Sequence, residues 1–179
     1  MKKRILTCLM AVSLLVSLLA VPVGAASVTK FSDVSDSYTA TAVESLRLMG
    51  VLDGYGDGTF RPDTVLNRAQ FCKMAVYAMD GSGELGRYST VTIFPDVKPS
   101  HWASAYINMA SRKGIISGFA DGKFKPGQTV TAGQAVTILM RGLGYKDEDM
   151  GGVWPQSYMA EAQTNGLLKS TGITSAYAG

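Results

Sequence analysis

Two stretches of this 179-residue chain are near copies of each other, and no other feature constrains the fold as tightly. Phe31-Ser-Asp-Val34 returns 63 positions on as Phe94-Pro-Asp-Val97. Gly50-Val-Leu-Asp-Gly-Tyr-Gly-Asp-Gly-Thr-Phe-Arg-Pro62 returns 64 positions on as Gly114-Ile-Ile-Ser-Gly-Phe-Ala-Asp-Gly-Lys-Phe-Lys-Pro126. Leu66-Asn-Arg-Ala-Gln70 then lines up with Val130-Thr-Ala-Gly-Gln134. A weaker third copy begins at Trp154. Tyr38 to Gly50, Trp102 to Gly114 and Trp154 to Gly166 are each twelve residues apart, and two aliphatics follow each Gly. Blocks of this length bury their apolar faces by stacking on one another.

Each copy reads as helix, loop, helix, so the expected fold is mainly α. Val43, Leu46 and Met49 fall at helical spacing, and Gly50 stands where a left-handed cap ends a helix. In the second copy Ser100 is placed to cap a helix carrying Trp102, Ile107 and Ala110, which Gly114 ends. The loops are punctuated by Gly54, Gly56 and Gly58, or by Gly118 and Gly122, and Pro62 and Pro126 are expected to keep the chain extended. A second helix then opens on a capping box, Thr131-x-x-Gln134 directly and Asn67-x-x-Gln70 as a variant. Its expected apolar stripe is Phe71, Met74, Ala75 and Ala78, or Ala135, Ile138 and Leu139.

Residues 1–26 read as a secretory signal peptide: basic Lys2, Lys3 and Arg4, an apolar run to Val23, then small residues for cleavage after Ala25 or Ala26. If it stays uncleaved, the same stretch is a membrane tether, the one route to a membrane. Removing those three cations from the 17 basic residues leaves 14 against 14 acidic, so the exported chain is formally neutral and lacks a nucleic-acid footprint. Two Cys and one His exclude finger- or ribbon-type zinc sites, and no metal or cofactor is expected. Export leaves Cys72 alone in an apolar helical stretch, where it reads as a small core residue.

Phe-x-Asp-Val, His-Trp-Ala at 101–103, Gly-Ile-Ile-Ser-Gly at 114–118, Asp-Gly-x-Phe-x-Pro at 121–126 and Asn-Arg-Ala-Gln at 67–70 together resemble the S-layer homology module. The resemblance runs from about Phe31 to Leu168 and divides the chain into repeats at 27–90 and 91–146 and a partial repeat at 147–179. It implies tandem helix-loop-helix repeats packing as an incomplete pseudo-threefold unit. It implies a secreted, non-catalytic module at the cell wall that holds secondary cell-wall polysaccharide in grooves between repeats. In many members the ligand is a sugar bearing a pyruvate ketal, and so a carboxylate.

By the match to the family's Thr-Arg-Ala-Glu element, Arg68 is the residue implied to meet that carboxylate, with paired donors and free helix-start amides beside it. Asn67 and Gln70 would shape the turn, Asp57 and Gly58 would come from the neighbouring loop, and Trp102 would offer a sugar an apolar face. Each has a plainer reading: a solvated charge for Arg68, caps for Asn67 and Gln70, core packing for Trp102, a first-turn residue for His101. Ala132 replaces the arginine in the second copy, so its groove is expected to bind a carboxylate poorly. The third copy's second helix would start beyond Gly179, leaving a single weakened groove, or a degenerate surface module that binds another protein or completes itself with another chain.

Rival chemistries fit less well. An EF-hand loop starting at Asp53 would need ligands at positions held by Tyr55 and Thr64. Nucleophilic catalysis would have to use His101 and the core Cys72, and Asp57 with Asp121, a conceivable glycosidase pair, are equivalent positions of a repeat. Gly54 to Thr59 lacks the strand context of a phosphate loop.

Overall fold

A carboxylate ties each Phe-x-Asp-Val segment to the loop that follows it. Asp33 accepts the backbone N–H groups of Phe60 and Arg61 at 2.7 and 2.6 Å, and Asp96 accepts those of Phe124 and Lys125 at 2.9 and 2.7 Å. The same segment's aromatic ring lies against the loop glycine. A Cβ on Gly54 would stand 2.0 Å from Phe31 Cε1, and one on Gly118 2.6 Å from Phe94 Cε1. The clamp also sets the backbone before each proline. Arg61 and Lys125 take positive φ, 59° and 58°, and not the extended conformation that a following proline favours. Two amides held on one carboxylate outweigh that local preference.

These contacts come from a computed structural model that describes residues 31–79, 82–169 and 171–174. The leader expected at 1–26 lies outside the described residues. The chain runs α1 (Ser37–Leu48), α2 (Arg68–Ala78), a 3-10 segment (Ser82–Tyr88), α3 (Ser104–Arg112), α4 (Ala132–Gly142), a 3-10 turn (Asp147–Asp149) and α5 (Gln156–Thr164). The fold is mainly α. Among the described residues there is no strand, only an isolated antiparallel bridge between Asn67 and Thr129. No helix among them is long and apolar enough to cross a membrane.

The helix ends follow local chemistry. Asp36 caps α1 through Thr39 N–H at 2.8 Å, and Gly50, Gly114 and Gly166 take φ of 72°, 71° and 83° after α1, α3 and α5. Ser100 does not cap α3: that helix starts from Ala103 with no side-chain cap, and His101 Nδ1 accepts the Ala103 N–H at 3.1 Å. The capping box forms in full at Asn67–Gln70 but only half forms at Thr131, because the Gln134 carbonyl turns to another partner.

The repeats interlock across their boundaries. α2 packs on α3 of the next repeat, α4 packs on α5 of the one after, and α2 meets α4. A Cβ on Gly142 would lie 1.7 Å from Met79 Cε, so the thioether at the end of α2 rests against the bare position 142 at the end of α4. The central core joins Cys72, Ala75 and Val76 of the first repeat to Ile107, Ala110, Ile116 and Phe124 of the second. A second cluster joins Val136 and Met140 to Tyr158 and Met159. The buried sides of α2 and α4 are therefore Ala69, Cys72, Ala75 and Val76, and Val136, Ile138 and Met140. Phe71, Met74, Ala135 and Leu139 are half-buried and Ala78 is exposed, since a helix touching two neighbours turns a broader arc inward than a single stripe. Met49 and Trp102 are likewise exposed, at 64 % and 56 %.

Candidate functional site

Arg68 begins α2 and points away from its own repeat. Its Nε donates to Phe124 O at 2.8 Å, one Nη to Gln134 Oε1 at 3.0 Å and the other to Ser117 O at 3.1 Å. All three acceptors belong to the second repeat. The guanidinium lies between the Phe119 and Phe124 rings, 4.6 and 4.5 Å from their centroids, and the residue is only 5 % exposed. Among the described residues it makes no ion pair. Burial lowers its pKa from the usual arginine value, and the nearby Asp96 carboxylate offsets part of that, yet a guanidinium stays charged. Three bonds use three of its five N–H groups.

That cation forms the floor of a cleft of about 430 Å³ between the second and third repeats. Its walls are Ser117 to Ala120 from the second loop, Gln134, Thr137 and Arg141 from α4, and Trp154 and Tyr158 from the third repeat. Arg141 forks onto Asp147 at 2.9 and 2.8 Å and reaches Ser117 Oγ at 3.0 Å, while Tyr158 O–H donates to the same carboxylate at 2.5 Å. The Tyr158 hydroxyl and the Arg141 charge together hold the Asp147 carboxyl below its ordinary range against a desolvation penalty. Trp154 is half-exposed, and its Nε1 donates to Thr137 Oγ1 at 3.0 Å, which fixes the ring's orientation at the rim. The cleft thus offers one uncompensated cation, a balanced Arg–Asp pair and an oriented aromatic face.

The structure does not bring the expected residues into one place. Arg68 faces the second repeat's loop, whereas Gln70 and Trp102 line a second cleft of about 330 Å³ between the first and second repeats. Asn67 caps α2. Asp57 accepts from Thr59 N–H and Oγ1 and pairs with Arg61 at 2.6 Å, which draws its carboxyl down to about 2, and Gly58 turns the loop at φ 81°. Asn67, Asp57 and Gly58 line neither cleft. The amides at the start of α2 are not free: Arg68 N–H donates to Gln128 O, Ala69 N–H to Pro126 O and Gln70 N–H to Asn67 Oδ1. Only the guanidinium remains for an anion. Ala132 lines neither cleft, so the missing arginine there leaves the second loop's groove with its cation, supplied by the first repeat. His101 stacks on Trp102 at 5.7 Å.

Sequence reasoning missed Ser117, Phe119 and Gln134 as partners of Arg68, and Arg141 and Trp154 as further lining of the same cleft. The twelve-residue spacing from Trp154 to Gly166 pointed to Trp154. No spacing marks Arg141.

Comparison with known proteins bears on the same segments. The family model of the S-layer homology domain matches residues 30–72 and 93–136, the two stretches that each carry one carboxylate clamp and its loop. The chain belongs to the S-layer homology domain family. A cell surface protein of Thermoanaerobacter kivui is 37 % identical over 163 residues, covering 89 % of this chain and 20 % of that protein. A surface layer protein of Brevibacillus choshinensis is 33 % identical over 163 residues, 88 % of this chain and 14 % of its own length. A cellulosome-anchoring protein of Acetivibrio thermocellus is 31 % identical over 115 residues, 63 % of this chain and 26 % of its own length. The chain therefore spans a fifth or less of the first two relatives, and its S-layer homology repeats correspond to one part of much larger surface proteins.

Proposed function

We propose that this S-layer homology unit is a non-catalytic anchor that holds its protein at the cell wall by binding secondary wall polysaccharide non-covalently. The cleft between the second and third repeats takes an acidic sugar, such as one bearing a pyruvate ketal. The observation that carries this reading is Arg68, a buried guanidinium with no ion pair among the described residues, set in an aromatic-rimmed cleft. A carboxylate placed there gains the charge and the unused N–H groups without first breaking a salt bridge. Trp154 would stack on the sugar ring, and Arg141 and Ser117 would meet its hydroxyls. The names of the relatives, surface layer and cellulosome-anchoring proteins, support the anchoring role.

The test is co-sedimentation with purified wall sacculi before and after the secondary polymer is stripped, with Arg68→Lys and Trp154→Ala alongside, each checked for native circular dichroism. Pelleting should depend on the polymer and weaken in both variants. A folded wild-type protein that stays in the supernatant would defeat the proposal. A second reading, a surface that binds another protein, is favoured by Tyr38, Leu48 and Met49, which stand 77 %, 73 % and 64 % exposed along and just beyond α1. Pelleting that survives stripping of the polymer would support it.

A further inference from the structure

The second cleft is related to the first by the chain's own repeat, yet its electrostatics differ. Asp53, Tyr55 and Gln70 stand 64 positions before Ser117, Phe119 and Gln134, and Trp102 matches Trp154. Nothing among the described residues takes the place of Arg68. The cations that line this cleft are each matched by a carboxylate: Arg61 pairs with Asp57 at 2.6 Å, and Lys73 with Asp53 at 3.0 Å. Arg61 Cζ also stands over the Tyr55 ring, 4.0 Å from the centroid, which holds a residue that is itself 38 % exposed. In the first cleft the Gln134 carbonyl serves Arg68. Here the equivalent Gln70 carbonyl accepts Asn67 N–H at 2.9 Å, which leaves its amide N–H groups as donors. Trp102, backed by His101, is 56 % exposed at the rim.

Two fixed, part-exposed rings, an amide donor, an exposed carboxylate acceptor and locally balanced charge suit an uncharged hydroxylated ring. They give a carboxylate no cation that is not already paired. We infer that the second cleft is a neutral-saccharide subsite, taking an uncharged sugar while the first cleft takes an acidic one. The inference rests on the polysaccharide reading above and assigns a different sugar class to each groove. An acidic polymer with neutral residues between its charged ones would then engage the unit at two chemically distinct points.

The chain's two tryptophans allow the clefts to be read separately, because Trp102 belongs to one and Trp154 to the other. Trp154→Phe and Trp102→Phe each leave a single reporter. The probes are N-acetylglucosamine, which is neutral, and N-acetylmuramic acid, the same sugar with a lactyl carboxylate. In Trp154→Phe, the Trp102 emission should titrate with N-acetylglucosamine at the same midpoint in about 0.05 and 0.5 M salt, with no preference above about threefold for the acid. Adding Tyr55→Ala should abolish that response. In Trp102→Phe, Trp154 should favour the acidic sugar by about tenfold or more at low salt and lose that preference at high salt. A silent Trp102, or one that prefers the acid as strongly and as salt-dependently as Trp154, overturns the inference and leaves the first cleft's role intact. A silent Trp154 beside a responsive Trp102 supports the neutral subsite and defeats the acidic reading of the first cleft.

Discussion

Replacing Arg68 by Ala should weaken the whole unit, and the size of the loss follows from the three acceptors it abandons. Phe124 is fully buried and Gln134 nearly so, while Ser117 lines an open cleft that water enters. A hydrogen bond to a charged group contributes about 1.5–3 kcal/mol, and an acceptor stranded away from water costs about 1–3 kcal/mol. Water rehydrates Ser117 O and reaches Gln134 in part, so the deep loss is at Phe124 O, with the packing between two rings lost as well. The sum is about 3–5 kcal/mol, or roughly 10–15 °C in Tm for a unit of this size. Arg68→Lys keeps the charge but cannot span three acceptors, and should lose about half as much. Arg61→Ala is the control, since its side chain is 48 % exposed and its pair with Asp57 is worth under about 1 kcal/mol. Urea denaturation followed by circular dichroism gives all three values. A loss below about 1 kcal/mol for Arg68→Ala, with an unchanged slope, would show that the guanidinium does not bridge the repeats.

Four further outcomes follow from the geometry. Asp96→Ala should cost about 2–4 kcal/mol and Asp33→Ala about half as much, because Asp96 clamps the loop around fully buried Phe124 while Phe60 is only half-buried; matched urea curves check this. Gly54→Ala and Gly118→Ala should each lose more than about 2 kcal/mol by driving a methyl into Phe31 or Phe94, whereas Gly58→Ala, in open space, pays only about 1–2 kcal/mol for its positive φ. Hydrogen bonds to backbone amides, side chains and cations hold Asp33, Asp36, Asp57, Glu84, Asp121 and Asp147 below their unfolded values, and in Asp96 the two loop amides outweigh burial. The unfolded chain then takes up protons first, so stability should be level from about pH 5 to 8 and fall below about pH 4; a urea midpoint that rises on acidification would contradict this. Burial pushes the Cys72 thiol up to about 12, so it should resist a disulfide reagent in the native protein and react at the rate of unfolding, as labelling and peptide mapping would reveal.

Much of the local architecture was legible in the chain because repetition is visible without a structure. The glycine stops after α1, α3 and α5 needed only a left-handed φ, which residue type alone provides. The asparagine cap, the burial of Cys72 and the equivalence of Asp57 with Asp121 rested on neighbours close in sequence. The readings that failed shared a cause. Ser100 as a cap, part of the stripes of α2 and α4, and the extended backbone before Pro62 were each inferred from local preference. At Ser100 the adjacent His101 took the amide instead, the stripes kept Ala75 and Ile138 but gave up Ala78 where the helices meet two neighbours, and before Pro62 a distant contact prevailed. At residues 61 and 125 that contact was a carboxylate some 28 positions away.

What the sequence by itself determined is the repeating unit: its helices, its loop punctuation and its family. What only the tertiary structure decided is the partner of each unit. Arg68 sits beside Asn67 and Gln70 in the chain, but its side chain lines a cleft whose other walls come from residues 116 to 158. The reason is physical. A helix too short to bury its apolar face within its own repeat packs on the next one, and it carries its first side chain across the boundary with it. Spacing within a repeat records the helix, while the groove that receives the side chain depends on how successive repeats dock.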